Sequence, residues 1–266
     1  MDSKDSDASR IALFYLIRGV DEGHLEMAQR FACAYRKFPP GVAHRLVIIF
    51  KGFASNEAMN VVRDVFADLP FEEAHTSDDA YDLGAYRDAV SRVDCGRAAF
   101  LNASSEPLSP NWLAKLDAAL SLPAIGIAGA TGSFEAGVGG CEFPNLHVRT
   151  NAFMMPAPLA RELLGELKIA SKRDAHVAEH GLNGLTRKVV QRGLAAVIVG
   201  ANGRAYAPEW WGGSRTFRQG SQANLLVADN QTRRWDEMTW PERKASYDAT
   251  WGSARTPGRP FWDPRS

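Results

Sequence analysis

The strongest constraint on this chain is the alternation of short, continuous apolar runs with longer segments of helical periodicity. Ile11–Ile17 reads IALFYLI and Leu46–Phe50 reads LVIIF. Both runs have the length of a strand and are apolar throughout, as strands buried on both faces are. Between them, residues 22–37 place apolar side chains at helical spacing and stop before Pro39-Pro40. This pattern predicts a three-layer α/β/α fold with a mainly parallel central sheet.

The alternation continues to about residue 203. We predict further strands at 71–76, 98–101, 124–128 and 195–199, an extended segment at 147–155, and helices over 83–93, 111–120, 158–169 and 175–192. The chain divides into a disordered tail (1–10), a main domain (11–203) and an irregular C-terminal extension (204–266) packed on it. Ligands bind outside the carboxyl ends of the strands in such sheets. We therefore expect chemistry at Arg18-Gly19, Lys51-Gly52, 77–82 and 102–106.

Composition and motifs limit the classes of protein to which this chain can belong. Lys plus Arg (31) equals Asp plus Glu (31), which argues neither for nor against a polyanionic partner, and nothing marks an RNA- or DNA-binding module. Cys33, Cys95 and Cys141 are scattered, which suits a reduced compartment and excludes a compact cysteine-based zinc site. No apolar run approaches the roughly 18–20 residues of a membrane span, so we expect a cytoplasmic protein. The arginine-rich tail 255–265 suggests, at most, peripheral contact with anionic lipid.

The most informative stretch runs from Tyr81 to Trp112. YDLGAYRDAV places a glycine and an arginine at the start of a helix. The next predicted strand then ends in FLNASSEPLSPNW, a cluster of small polar residues followed by a proline that suits the first turn of a helix.

This stretch resembles the core of the GT-A glycosyltransferases, in which a helix beginning with a glycine precedes a strand that ends in Asp-x-Asp. It is also similar to a smaller, bacterial polysaccharide-type branch in which that strand ends in Asn-x-Ser. Residues 145–155 resemble the segment leading to the acceptor, and 179–193 resemble the acidic motif and helix that supply the catalytic base. The likeness covers residues 11–203 in matching order.

The resemblance implies an enzyme that moves a sugar from a nucleotide-diphosphate donor (UDP-, GDP- or dTDP-linked) to a hydroxyl of a carbohydrate or lipid-linked acceptor. It also implies a part in surface polysaccharide assembly. The donor site would comprise Arg18, Asp79, Asp82, Gly84, Arg87, Asn102 and Ser104. Helix-start amides and arginine can bind phosphate oxygens, and aspartate can accept hydrogen bonds from ribose or base.

Glu179 would be the base of an inverting transfer, taking the proton from the acceptor hydroxyl as it attacks the anomeric carbon. His147 and Trp211 would lie on the acceptor side. Trp210 and Trp211 precede two glycines and cannot both face a core easily, so we expect one of them to form an acceptor wall. The glycine-rich segment 131–141 reads as a flexible lid or a plain loop.

The sequence departs from the Asp-x-Asp pattern in one respect. Asn102-Ala103-Ser104 offers neutral oxygens, which are poor ligands for Mg²⁺ or Mn²⁺. The donor diphosphate is then neutralised by arginines, or a metal is held elsewhere, or activity has been lost. The last alternative would leave a non-catalytic, glycosyltransferase-like binding protein.

A rival motif points to a zinc-dependent hydrolase. His176-Val177-Ala178-Glu179-His180 matches the HxxEH pattern, in which both histidines bind Zn²⁺ and the glutamate activates water. No third protein ligand is identifiable, and Gly181 and Gly184 weaken the long helix that such sites use.

Overall fold

The computed structural model describes residues 11–137 and 140–253. The predicted disordered tail (1–10) and the basic tail (255–265) lie outside the described residues. The helices are α1 (His24–Lys37), α2 (Asn56–Val65), α3 (Tyr81–Arg92), α4 (Trp112–Leu120), α5 (Ala157–Gly165), α6 (Lys172–His180), α7 (Leu185–Gln191), α8 (Asn230–Glu237) and α9 (Trp240–Trp251). The strands are β1 (Ile11–Arg18), β2 (His44–Lys51), β3 (Phe71–Thr76), β4 (Arg97–Leu101), β5 (Glu106–Pro107), β6 (Ile125–Gly129), β7 (Gly132–Ser133), β8 (His147–Val148), β9 (Ala152–Pro156), β10 (Ala195–Val199), β11 (Ala205–Tyr206) and β12 (Val227–Ala228).

Eight of these strands form the central sheet in the order β11-β10-β6-β9-β4-β1-β2-β3. The pairs β1–β2, β2–β3, β1–β4 and β6–β10 are parallel. β9 runs antiparallel between β4 and β6, and β11 is an antiparallel edge strand. The sheet is therefore mainly parallel, as predicted, with one reversed strand near its centre.

Side chains of β1 alternate between two cores, which explains its uninterrupted apolar sequence. Ala12, Phe14 and Leu16 face a core shared with α3, α5, α6 and α7. Leu13 and Tyr15 face a second core shared with α1, α2 and α4. Because helices cover both faces, the strand has no solvent-facing side, and the three-layer prediction is confirmed.

Two helix predictions need correction. The single helix predicted over 175–192 is two helices, α6 and α7, separated by residues 181–184. Gly181 is extended there, and a Cβ atom on it would lie 2.6 Å from the carbonyl oxygen of Val177. The helix predicted over 111–120 begins one residue later, at Trp112, because the preceding Asn111 is in the left-handed conformation (φ 60°).

The C-terminal extension is more regular than predicted, because α8 and α9 account for much of its described part. It joins the main domain through β12, which pairs antiparallel with β5 directly after the Asn102–Ser104 loop. Trp211 and Trp251 pack around Phe134 in the first core. The extension therefore contributes to the core and reaches the carboxyl end of β4.

Candidate functional site

A cavity of about 540 Å³ opens at the carboxyl ends of β1 and β4. Its lining comprises Leu16, Arg18, Val20, Asp21, Glu22, Met27, Asp82, Asn102, Ala103, Ser104 and Asn230. Four of these, Arg18, Asp82, Asn102 and Ser104, are donor-site residues predicted from the sequence. The cavity lies where a parallel sheet places its ligands.

Arg18, at the end of β1, is held in place by two carboxylates. Its Nε and Nη2 donate to Asp78 Oδ1 and Oδ2 at 2.7 and 2.6 Å, and its Nη1 donates to Asp21 Oδ1 at 2.7 Å. The Arg18 guanidinium holds the pKa of Asp78 below its usual range. Arg18 therefore shapes the cavity wall, and its charge is already balanced by two acidic partners.

Lys51, at the end of β2, lies at a strand end where chemistry was expected, although it was not among the predicted donor residues and does not line the cavity. Its side chain is 1% exposed, and its Nζ lies 3.8 Å from Asp78 Oδ1. Burial lowers the pKa of Lys51. The ammonium group also lies 5.8 Å from the centre of the Tyr81 ring. A buried lysine at this edge joins Arg18 and Asp78 in one charged cluster.

Asp82 lies in the first turn of α3 and lines the cavity. Burial raises its pKa, and the nearby charge of Lys51 opposes that effect. The charges of Asp21 and Glu179 act in the same direction as burial and raise the pKa further. Of the three predicted donor residues on α3, Asp82 is the one that lines the cavity.

The Asn102–Ser105 turn forms the cavity floor. Asn102 Oδ1 accepts a hydrogen bond from Ser104 Oγ at 3.1 Å and lies 2.9 Å from Ser105 Oγ. The backbone amide of Asn102 donates to the carbonyl of Asn151 at 3.0 Å. Tyr15, beneath the turn, donates from its hydroxyl to the carbonyl of Ala103 at 2.8 Å. These bonds fix the turn while Asn102 and Ser104 still line the cavity.

Glu179 lies near the end of α6, and its Oε1 accepts a hydrogen bond from the backbone amide of Thr150 at 3.2 Å. The buried atoms Tyr86 Oη, Asn151 Nδ2 and His180 Nδ1 have no hydrogen-bond partner among the described residues. Burial raises the pKa of the Tyr86 hydroxyl, and the charges of Asp82 and Glu179 raise it further. Asn151 follows Thr150 in the chain and His180 follows Glu179, so two of the three unpartnered atoms belong to residues next to the Thr150–Glu179 hydrogen bond. Buried polar atoms normally have partners, which a water or a ligand group would supply here.

His147 is buried, and its Nδ1 lies 2.9 Å from the carbonyl oxygen of Asn145. Burial lowers its pKa to about 4, and the nearby charge of Glu179 partly opposes this. The His147 and His180 ring centres are 5.4 Å apart. His147 thus lies beside His180, the neighbour of the predicted base in the chain, and is not among the residues that line the cavity.

No family model matches the chain, and no curated protein matches it. Among solved structures it is similar to the mannosyltransferase PcManGT from Pyrobaculum calidifontis in complex with GDP-Man and Mn²⁺. The TM-score is 0.50 at 12% identity, over 70% of this chain and 53% of that one. The fold is of the GT-A type.

A second similar structure is mouse xyloside xylosyltransferase 1, with a TM-score of 0.44 and 8% identity over 72% of this chain and 84% of that one. The chain spans about half the length of the mannosyltransferase structure. At 12% identity the likeness to the mannosyltransferase shows the fold alone, which is the GT-A-type architecture that the sequence predicted.

Within this GT-A-type fold, three predicted donor residues lie outside the cavity lining. Asp79 is exposed in the 3-10 turn before α3, and Gly84 is buried within α3. Arg87 donates from Nε to Asp88 Oδ1 at 2.9 Å on the surface of α3. The helix start that was expected to bind phosphate therefore contributes only Asp82 to the cavity.

The prediction that Trp211 forms an accessible acceptor wall was wrong. Trp211 is fully buried, its Nε1 donates to the carbonyl of Tyr206 at 2.9 Å, and its ring stacks on Phe134. Trp210 is the exposed member of the pair, at 66% of its surface, and lies in a separate groove of about 500 Å³ beside Leu122. One tryptophan of the pair is buried and the other is exposed, as expected, but the exposed one is Trp210 and not Trp211.

The residues present do not fit the divalent metal that Asp-x-Asp holds in GT-A proteins. Asn102 Oδ1 already lies against two serine hydroxyls, and Ser104 adds only a neutral oxygen. Over residues 11–137 and 140–253, no three His, Cys, Asp or Glu side chains are grouped to hold a metal ion. Within the same ranges no third metal ligand accompanies the two histidines of the HxxEH motif, although the ring centres of His176 and His180 are 5.7 Å apart.

Among the described helices, none combines the length and the apolar character that a membrane crossing requires.

Proposed function

We propose that the protein transfers a sugar from a nucleotide-diphosphate donor to an acceptor hydroxyl. The observation that supports this most directly is the cavity at the carboxyl ends of β1 and β4, lined by Arg18, Asp82, Asn102 and Ser104. Its volume suits a small-molecule ligand. The GT-A-type architecture supports the same proposal by analogy of fold.

Glu179 serves as the general base in this proposal. The amide of Thr150 orients its carboxylate, and the buried atoms Tyr86 Oη, Asn151 Nδ2 and His180 Nδ1 have no hydrogen-bond partner among the described residues. The acceptor oxygen bonds to the anomeric carbon while its proton passes to Glu179. The bond between that carbon and the phosphate oxygen breaks, its electron pair stays on the diphosphate, and the configuration inverts.

Isothermal titration calorimetry against UDP-, GDP-, dTDP- and CMP-linked sugars tests the proposal, with and without Mn²⁺. We expect measurable binding of at least one donor, and weaker binding after Asp82→Asn, which removes a carboxylate from the lining. Asp79→Asn is the matched control, because Asp79 lies outside the lining. The absence of binding by every donor under both conditions would refute the proposal.

A non-catalytic, donor-binding protein is the second candidate. The neutral Asn102–Ser104 turn favours it, because the charge that most GT-A proteins place there is missing. A protein of this kind binds the donor but neither transfers the sugar to an acceptor nor hydrolyses the donor. Glu179→Gln leaves that donor binding unchanged.

A further inference from the structure

The charge of the cavity differs between its two ends. The end formed by the β1–α1 loop and α3 carries Asp21, Glu22 and Asp82, and its one cation, Arg18, is already paired with two aspartates. The other end, formed by the Asn102–Ser104 turn and Asn230, is neutral. A diphosphate is repelled by the first end, which suits ribose hydroxyls and base N–H groups instead.

Two arginines flank the neutral end. Arg233 lies on α8, three residues after the cavity-lining Asn230 and therefore on the same helix face. Its Nη2 donates to the carbonyl of Ser104 at 3.1 Å, and its Nη1 lies 3.3 Å from Glu106 Oε2. The Arg233 side chain is 29% exposed, so part of the guanidinium remains open to a ligand.

Arg30 occupies the equivalent position on α1, three residues after the cavity-lining Met27. It is exposed and forms no ion pair with any residue that the structure describes. The Tyr15 hydroxyl donates to the carbonyl of Ala103 at 2.8 Å and lies 3.2 Å from the carbonyl oxygen of Met27, so α1 is held beside the Asn102–Ser104 turn. Arg30 on α1 and Arg233 on α8 therefore flank this neutral turn, and two guanidinium groups in that arrangement form a site for a polyanion.

Resting on the proposed function, we infer that Arg233 and Arg30 hold the donor's diphosphate at the Asn102–Ser104 turn, in place of a divalent metal ion. Guanidinium groups bind phosphate oxygens through two parallel hydrogen bonds and keep their charge at all working pH values. Arg233 belongs to α8 in the C-terminal extension. The C-terminal extension thereby supplies part of the donor site.

The experiment is calorimetric titration of UDP, GDP, dTDP and CDP in excess EDTA and again with Mn²⁺. We expect the same dissociation constant in both conditions for the nucleotide that binds. Arg233→Ala and Arg30→Ala are each expected to raise that constant about tenfold or more, the loss typical of a charge-assisted hydrogen bond. Binding of the corresponding nucleoside, which lacks phosphates, should not change.

Arg234→Ala is the matched control, because Arg234 is the exposed neighbour on α8. Circular dichroism and thermal unfolding check that each variant folds. Should Arg233→Ala fail to fold, the exposed Arg30 decides the question. Loss of binding in EDTA, or variants of Arg233 and Arg30 that match Arg234→Ala, would overturn the inference and leave the proposed function standing. A wild-type protein that binds no nucleotide would overturn both.

Discussion

Arg18 and Asp78 join the ends of two strands through a two-point ion pair, with Nε–Oδ1 and Nη2–Oδ2 distances of 2.7 and 2.6 Å. The pair ties the end of β1 to the turn after β3, across the intervening end of β2. Since Arg18 also lines the cavity, the pair fixes one wall of the candidate donor site.

We expect Asp78→Asn to lower the free energy of unfolding at pH 7 by about 1 kcal/mol or less, because both side chains are about one third exposed. Arg18 lowers the folded-state pKa of Asp78, so this stabilisation is present above the unfolded-state pKa and is lost as the pH falls through the folded-state value. Urea unfolding at pH 7 and pH 3 measures both effects. Asp79→Asn, at the exposed neighbouring position, should change neither; an equal loss in both variants would contradict the prediction.

Glu179→Gln should reduce sugar transfer by about 10²- to 10⁴-fold while leaving donor affinity nearly unchanged. The glutamine oxygen can still accept the hydrogen bond from Thr150, so the local fold is retained, but the general base is lost. Transfer rates with saturating donor, together with calorimetry, separate the two quantities. Glu237→Gln, at the exposed end of α8, is the control. An unaffected rate would remove Glu179 from the mechanism.

Because His147 is buried, the protein should become less stable as the pH falls below neutrality. Burial lowers its folded-state pKa to about 4, below the ordinary value near 6.5. The unfolded chain therefore binds more protons between these values, and the free energy of unfolding falls as the pH drops from about 6.5 toward 4, by roughly 1–3 kcal/mol. Urea titrations at pH 7 and pH 5 should show a smaller difference for His147→Asn than for the wild type. His176→Asn, on the exposed side of α6, should leave the difference unchanged.

Alanine substitution of the two adjacent tryptophans should have very different effects on the free energy of unfolding. Trp211→Ala removes a fully buried side chain that packs against Phe134 and should lower the free energy of unfolding by about 3–5 kcal/mol. Trp210→Ala should change the free energy of unfolding by less than about 0.5 kcal/mol, because most of its surface is exposed. Denaturant midpoints of the two variants test this, and similar losses in both would be inconsistent with the structure.

The buried strands could be predicted from the sequence, because a short run in which every residue is apolar fits a strand that is covered on both faces. Ile11–Ile17 became β1 with one added residue, and Leu46–Phe50 lies wholly within β2. The break between α6 and α7 was missed because helical periodicity continues across it, although Gly181 and Gly184, both within the break, are weak helix formers.

The candidate site was predictable only where its residues follow strands. Arg18, Asn102 and Ser104 directly follow or end β1 and β4, so topology alone brings them to one edge. Asn230 and Arg233 reach that edge through the pairing of β12 with β5, more than 100 residues away in the chain. Such long-range placement depends on tertiary packing, which no local pattern encodes.

The two residues just before the antiparallel strand β9 bind two distant parts of the chain. The amide of Asn102 is bonded to the carbonyl of Asn151, while the amide of the preceding residue, Thr150, is bonded to Glu179. Two consecutive residues, Thr150 and Asn151, thus connect the Asn102–Ser105 turn to the Glu179 carboxylate. A ligand that displaces this turn would therefore be expected to change the orientation of the Glu179 side chain as well.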